Sequence, residues 1–288
     1  MPPDEHRPLN LLRFYTRRLG TSLFAVALTL VVATLLLVWT WPPALSAARS
    51  LNTPSGQPSL SIPQDTRSIE RAVVIPKTRH DDVRWIGDLL NDSNFTAFVY
   101  STDVWPEQQY LQPRTLVGRE ASAYLSYILD YYDALPKYSI FIHAAEDQWH
   151  NDVYSKATNQ PDTLHSLRTS AIDAHGYINL RCKLHPGCPA DFEPFAPGGV
   201  ELQGHVYADF PAMYAEMFGV ERQEAPESIG NICCAQFGVS RARILQRPKR
   251  DYGRMLDWAR NTTELDGTAV GYVFEKLWHI VFGMDAVL

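Results

Sequence analysis

Hydrophobic and polar positions divide the chain into three zones. From Thr21 to Trp41 the residues are apolar throughout, with no charged side chain. From Pro42 to about Glu70 no apolar period exists, and Pro, Ser, Ala and Thr predominate. From Arg71 to Leu288 short apolar bursts alternate with helical spacings.

The first zone sets the class. A helix of about 20 apolar residues spans a bilayer core. Arg13, Arg17 and Arg18 precede the run, and Trp39 and Trp41 close it. Basic flanks stay cytoplasmic and tryptophans favour the interface. The pattern predicts a cytoplasmic tail over 1–20 and a transmembrane signal anchor over 21–41, in a single-pass type II membrane protein. A cleaved signal peptide has a shorter apolar core, about 7–15 residues. Ala44 and Ser46 would suit its cleavage site, but the run is too long, and Trp39, Trp41, Pro42 and Pro43 intervene. The second zone, 42–70, cannot bury enough apolar surface to offset chain entropy and reads as a stem.

In the third zone, Ala72-Val73-Val74-Ile75 predicts a buried strand. Val83, Ile86, Leu89 and Leu90 predict a helix over Asp81 to Leu90, with Asp81 or Asp82 as N-cap. Thr96 to Tyr100 predicts a second strand and Tyr138 to His143 a third. Between them Ala121, Leu125, Ile128 and Leu129 mark one face of a helix over Gly118 to Tyr132. Pro186 to Pro211 is rich in Pro and Gly and predicts loop. Phe210 to Phe218 predicts a short helix, and Ile229 to Val239 a buried strand. Ser240 then caps a helix that starts at Arg241. Tyr252 to Arg260 and Val270 to Phe282 predict the last two helices. The β-α-β-α-β start predicts a single α/β domain over 71–288, its mostly parallel sheet covered by helices.

A net charge of -6 and the lack of a basic stripe argue against nucleic acid as a partner. All four cysteines, Cys182, Cys188, Cys233 and Cys234, follow the apolar run. In an oxidising lumen they would form up to two disulfides, in any of three pairings. Bonding between the neighbours Cys233 and Cys234 would strain the geometry. Zinc is the other use of four cysteines, but these spacings suit it poorly. Sequons at Asn91, Asn94 and Asn261 would be glycosylated if the domain is luminal.

Ligands of parallel sheets gather at the carboxyl ends of strands. After the third strand come His143, Glu146, Asp147, Trp149 and His150. Two imidazoles and two carboxylates there suit a divalent metal or acid-base chemistry. The plain alternative is a polar loop with one structurally bonded histidine. Gln236, polar inside an apolar run, either meets a ligand or satisfies backbone. Glu275 and His279 are four apart and share a helix face, either for one ligand or as a surface pair. No G-x-G-x-x-G, Walker loop, G-x-S-x-G, H-E-x-x-H or Asp-x-Asp occurs.

Several segments resemble a known family. They are Gly118-Arg119-Glu120-Ala-Ser-Ala-Tyr-Leu, Phe141-Ile-His143 with Trp149-His150, and Gly176-Tyr-Ile-Asn-Leu-Arg-Cys182. Cys233-Cys234-Ala-Gln-Phe-Gly-Val-Ser240, Arg247-Pro248 and Glu275-x-x-Trp278-His279-Ile-Val-Phe-Gly283 complete the set. Together they are similar to an uncharacterised fungal family, domain of unknown function 3431, often carrying an N-terminal membrane anchor. The order of elements is also similar, at the level of fold, to nucleotide-sugar-dependent glycosyltransferases with a glycosyltransferase-A-like sheet.

That second similarity implies transfer of a sugar from a nucleotide donor to a glycan or protein acceptor in the Golgi or endoplasmic reticulum lumen. Asp147 and Glu275 would be catalytic, Glu275 as acceptor base. Lys77, Arg119, Glu120, Trp149 and Gln236 would bind substrate. His143, Asp147, His150 and His279 would hold a divalent ion, Mn or Mg. Glu146-Asp147 departs from the usual Asp-x-Asp by lacking the spacer. Two other classes fit the same residues: a metal-dependent hydrolase, and a luminal carbohydrate-binding or interaction module without catalysis.

Overall fold

The computed structural model describes residues 65–87, 95–153, 156–188 and 191–288. The expected tail, the anchor over 21–41, the stem as far as residue 64, Asn91 and Asn94 lie outside these. Among the described residues no helix is long and apolar enough to cross a membrane. Residues 65–70, expected as the end of the stem, are fastened to the domain. Thr66 is buried and its hydroxyl donates to the Ala134 carbonyl, while Ile69 packs against the core.

The chain begins with β1 (Arg71–Lys77), β2 (Phe95–Ser101), α1 (Glu120–Tyr131) and β3 (Tyr138–Phe141). A hairpin of β4 (Asp147–Val153) and β5 (Lys156–Asn159) leads to α2 (Gln160–Ser166), α3 (Thr169–His175) and β6 (Tyr177–Asn179). A second hairpin, β7 (Val200–Leu202) and β8 (His205–Tyr207), precedes α4 (Phe210–Phe218). The chain closes with β9 (Phe237–Ser240), α5 (Arg241–Ile244), α6 (Lys249–Asn261) and α7 (Gly267–Val281). Both hairpins lie in stretches whose polar or Pro/Gly-rich sequence predicts loop. Ser240 caps α5 as expected, accepting from the Arg243 N–H at 3.2 Å.

The central sheet has the order β2-β1-β3-β9-β6. β1 pairs in parallel with β2 and β3, whereas β9 is antiparallel to both β3 and β6. The sheet is therefore mixed, which corrects the mostly parallel expectation. A strand buried on both faces reads as a continuous apolar run whichever way it points. Its direction depends on the connection, and the long excursion from β6 returns the chain at the opposite end.

Side chains alternate across β1. Val73 and Ile75 join one core with Val99, Ile140, Ile142, Trp85 and Leu164. Ala72 and Val74 face the other, with α1, α4, α6 and α7. That second core is largely aromatic. Phe141 lies 4.9 Å from both Tyr124 and Phe237, ring to ring, and Trp278 stacks on Phe282 at 6.1 Å. Burying each such ring stabilises the fold by about 1.5–3 kcal/mol. Packing on these rings holds α1 and α7 side by side over the sheet.

Strand order also locates a crevice. β1 is followed by β2 on one side and then, through α1, by β3 on the other. Connections that leave in opposite directions open a gap at the strands' carboxyl ends, where α/β sheets hold ligands.

Candidate functional site

A cleft of about 670 Å³ opens at that point. Lys77 ends β1 on its wall, and His143, Ala144 and Ala145 follow β3. Arg119 and Glu120 enter from the start of α1, Trp149 and His150 from β4, and Glu275 from α7. Cys233 and Cys234, in the loop before β9, complete it. Seven of the expected site residues thus share one cleft: Lys77, Arg119, Glu120, His143, Trp149, His150 and Glu275.

Arg119 is held by its backbone. Gly118 and Arg119 have φ values of 103° and 54° and form a left-handed turn on α7. Gly271 lets that turn approach. A Cβ there would sit 3.3 Å from Arg119 Cδ and 3.4 Å from the Gly118 oxygen. The Arg119 guanidinium has no hydrogen-bond or ion-pair partner among the described residues. The other cations of the cleft are compensated. Lys77 is paired with Glu107 and lies 4.8 Å over the Tyr110 ring, and Lys276 is 2.5 Å from Asp191. Among the described residues Arg119 is the cleft cation without a hydrogen-bonded anion, its charge interaction being with Asp266.

Glu275 is mostly buried, and burial raises its carboxyl above the ordinary value. Glu120 raises it further by like charge, while Lys276, the Cys234 N–H and His143 pull it down. That N–H donates to Glu275 Oε1 at 3.3 Å. A carboxyl raised in a partly open cleft is suited to general-base work nearer neutral pH.

Cys233 and Cys234 are joined by a disulfide, with Cα atoms 3.7 Å apart. The expectation of strain is met by the backbone, because Cys234 (φ 86°) and Ala235 (φ 46°) are left-handed and bring the two sulfurs together. Cys182 and Cys188 are unpaired, so two expected disulfides become one among the described residues. The Cys234 carbonyl accepts from His143 Nε2 at 2.9 Å. A carbonyl only accepts, so Nε2 carries the proton.

His150 is buried, its ring centroid 5.2 Å from that of His143. Among the described residues neither of its ring nitrogens has a hydrogen-bond partner. Burial holds its pKa down to about 4, with His143 and Arg181 adding and Asp152 opposing. Beside it Trp149 is 74% exposed, with the Arg181 guanidinium 5.1 Å from its ring.

The remaining expected residues sit elsewhere. Asp147 is exposed, pairs with Asn159 across the β4–β5 hairpin and does not line the cleft. Gln236 lies behind the wall, where its Oε1 accepts from the His143 N–H at 3.2 Å. His279 is fully buried, its Nε2 3.0 Å from the Ala286 carbonyl, and burial lowers its pKa. The expected metal set His143, Asp147, His150 and His279 is not brought together. Among the described residues no three His, Cys, Asp or Glu side chains are placed to hold an ion. Asn261 is exposed at the end of α6.

Sequence reasoning missed Asp191 and Lys276, which border the cleft as a pair, and Asp152. Asp152 Oδ2 accepts from Arg181 Nε at 3.2 Å, and its Oδ1 accepts from the N–H groups of Cys182 and Lys183 at 2.6 and 3.1 Å. Asp152 stood within the polar stretch after the third strand. Nothing local marked Asp191.

No curated protein and no solved structure matches the chain. A family described as "Protein of unknown function (DUF3431)" matches residues 73–288. That span takes in every side chain of the cleft, and the chain belongs to that family.

Proposed function

We propose that the cleft transfers a glycosyl group from a nucleotide sugar to an acceptor hydroxyl on a glycan or protein, with inversion. Glu275 takes the proton of the acceptor hydroxyl as its oxygen attacks the anomeric carbon. The bond to the diphosphate oxygen breaks, and its electron pair leaves with the diphosphate. Arg119 meets that charge, helped by the positive end of the α1 dipole. Trp149 offers an exposed ring for sugar or base stacking.

The observation that carries this proposal is the pairing, in one cleft, of a carboxyl raised by burial with a guanidinium that has no hydrogen-bond or close ion-pair partner among the described residues. The order of elements along the sequence, read as similar to that of nucleotide-sugar enzymes, lends it support as well. The donor set expected for Mn or Mg does not fit the placed residues, so no step is routed through a metal. Residues 21–41 would anchor the enzyme as a type II protein in a Golgi or endoplasmic reticulum lumen, which the basic residues before that run support.

Calorimetric titration of the full chain with nucleoside diphosphates and nucleotide sugars, with manganese and with chelator, tests the proposal. One nucleotide should bind, Arg119→Ala should weaken it, and Glu275→Gln should bind but not transfer. Failure of every nucleotide to bind the folded chain overturns it. Carbohydrate capture without catalysis is the second function, favoured by the exposure of Trp149. Glycan binding that depends on Trp149 and is indifferent to Glu275 would establish it.

A further inference from the structure

We infer that the Cys233–Cys234 disulfide is a positioning element, which sets Glu275 and His143 through the single residue Cys234. The two side chains arrive from distant elements, α7 and the end of β3. Cys234 donates its N–H to Glu275 Oε1 and accepts from His143 Nε2 at its carbonyl. Both bonds depend on the left-handed backbone at Cys234 and Ala235. Such a conformation is unfavourable at a residue other than glycine and persists only where the surroundings impose it.

The surroundings of the loop are visible. Asn231 Nδ2 donates to the Glu275 carbonyl at 2.8 Å, tying the loop to α7. Asn179 Nδ2 donates to the Ile232 carbonyl at 3.0 Å, tying it to β6. Gly187 presses against the Asn231 carbonyl so closely that a Cβ would sit 1.9 Å from its oxygen. These ties hold residues 231 and 232, and at the left-handed pair itself the Tyr124 hydroxyl donates to the Ala235 carbonyl at 3.3 Å and Arg181 Nη1 lies 3.8 Å from Cys234 Sγ. The covalent link between the sulfurs continues the constraint to Cys234. Both cysteines line the cleft but are buried, at 3% and 7% exposure, so reduction calls for a small dithiol in large excess.

Reduction removes the constraint. One thiolate of a dithiol attacks a cysteine sulfur and displaces the other as thiolate. The second thiol of the reagent then closes its own cyclic disulfide. Two electrons and two protons pass to the cysteine pair, and the reagent is oxidised. With the turn relaxed, Glu275 loses the N–H that favours its charged form, and its titration moves up. Of the other charged groups facing Glu275, Glu120 from α1, Lys276 with Asp191, and Arg119 in the same cleft stay, whereas His143 after β3 loses its own tie to Cys234.

The role in catalysis rests on the transferase proposal, but the positioning does not, and it is tested without substrate. The full chain carries Cys182→Ser and Cys188→Ser, so only one pair can react. Carboxyl-labelled glutamate is followed by NMR, with Glu275 assigned by its loss in Glu275→Gln. Dithiol should move the Glu275 titration up, and reoxidation should restore it. The Cys233→Ser, Cys234→Ser variant should match the reduced chain. Adding Ala235→Gly, which removes the cost of one left-handed residue, should recover part of the shift. A Glu275 titration that ignores reduction overturns the inference. Global unfolding on reduction overturns it too, because the bond is then a staple of the fold. A shifted Glu275 in a chain that handles no nucleotide sugar would leave the positioning standing and dismiss the transferase.

Discussion

Gln236 donates its amide to Oδ1 of Asn151 at 2.8 Å, joining the strand-end loop of β9 to β4. Its own Oε1 accepts from Gln160 Nε2 at 2.5 Å and from the His143 N–H. One buried side chain therefore ties β4, α2 and the segment after β3 behind the cleft wall. Gln236→Leu leaves Asn151 Oδ1 and the His143 N–H without these partners, and Gln160 Nε2 with only the His143 carbonyl at 3.4 Å. An unmet buried polar group costs about 1–3 kcal/mol, and these are linked. The variant should lose at least about 3 kcal/mol in urea unfolding, while a solvent-exposed Gln109→Leu change should be nearly silent.

Glu275→Gln should separate stability from activity. A carboxyl raised in the folded state favours its neutral form, so above the unfolded pKa its ionisation opposes folding, and stability falls as pH rises. A neutral amide of the same shape removes that penalty and keeps an oxygen for the Cys234 N–H. Thermal melts at pH 7.5 should show the variant melting above the parent, with transfer abolished. The acid limb of kcat/KM in the parent should lie above the usual carboxylate range.

His150 should show in the pH dependence of stability. Its folded pKa of about 4 lies below the ordinary 6.5, so the unfolded chain binds more protons between these values. The His150 contribution is complete above pH 6.5 and is lost as pH falls toward 4, on the order of 3 kcal/mol over the window. Denaturation midpoints from pH 4 to 7 should rise with pH, and His150→Phe should flatten that rise.

Gly271→Ala is a subtler probe of Arg119. Alanine is favoured over glycine in a helix interior by about 1 kcal/mol. Here the new Cβ presses on the turn at Gly118 and Arg119. Nucleotide affinity should fall severalfold with stability kept or raised, and calorimetry beside a thermal melt reads both.

The elements that carry the cleft were largely legible. Thr96 to Tyr100 was expected as a strand and Phe95–Ser101 forms one, while Gly118 to Tyr132 became Glu120–Tyr131. Their apolar periods are long and undisturbed. Expectation failed where local pattern carries no information. Ile229 to Val239 read as one strand, but only Phe237–Ser240 is regular, because Cys234 and Ala235 turn left-handed before it. Glu275 and His279 do share a helix with the right spacing. α7 is covered on nearly every side, however, and His279 turned inward to the Ala286 carbonyl while Glu275 reached the cleft. Identical spacing on a helix buried all round cannot say which side opens.

The insertion of β9 between β3 and β6 has a consequence for synthesis. Strands β1, β2 and β3 can pair once residue 141 has emerged, but the sheet stays open at β3 until the chain reaches residue 237. Contacts so distant along the chain form late, since their loop entropy must be met first. Lys77 would therefore wait at the end of a paired β1, while Arg119 and His143 wait for their own supports, α7 and Cys234. A chain halted before residue 237 displays an unpaired strand edge and no base, a species for chaperones to hold rather than an enzyme working ahead of its completion.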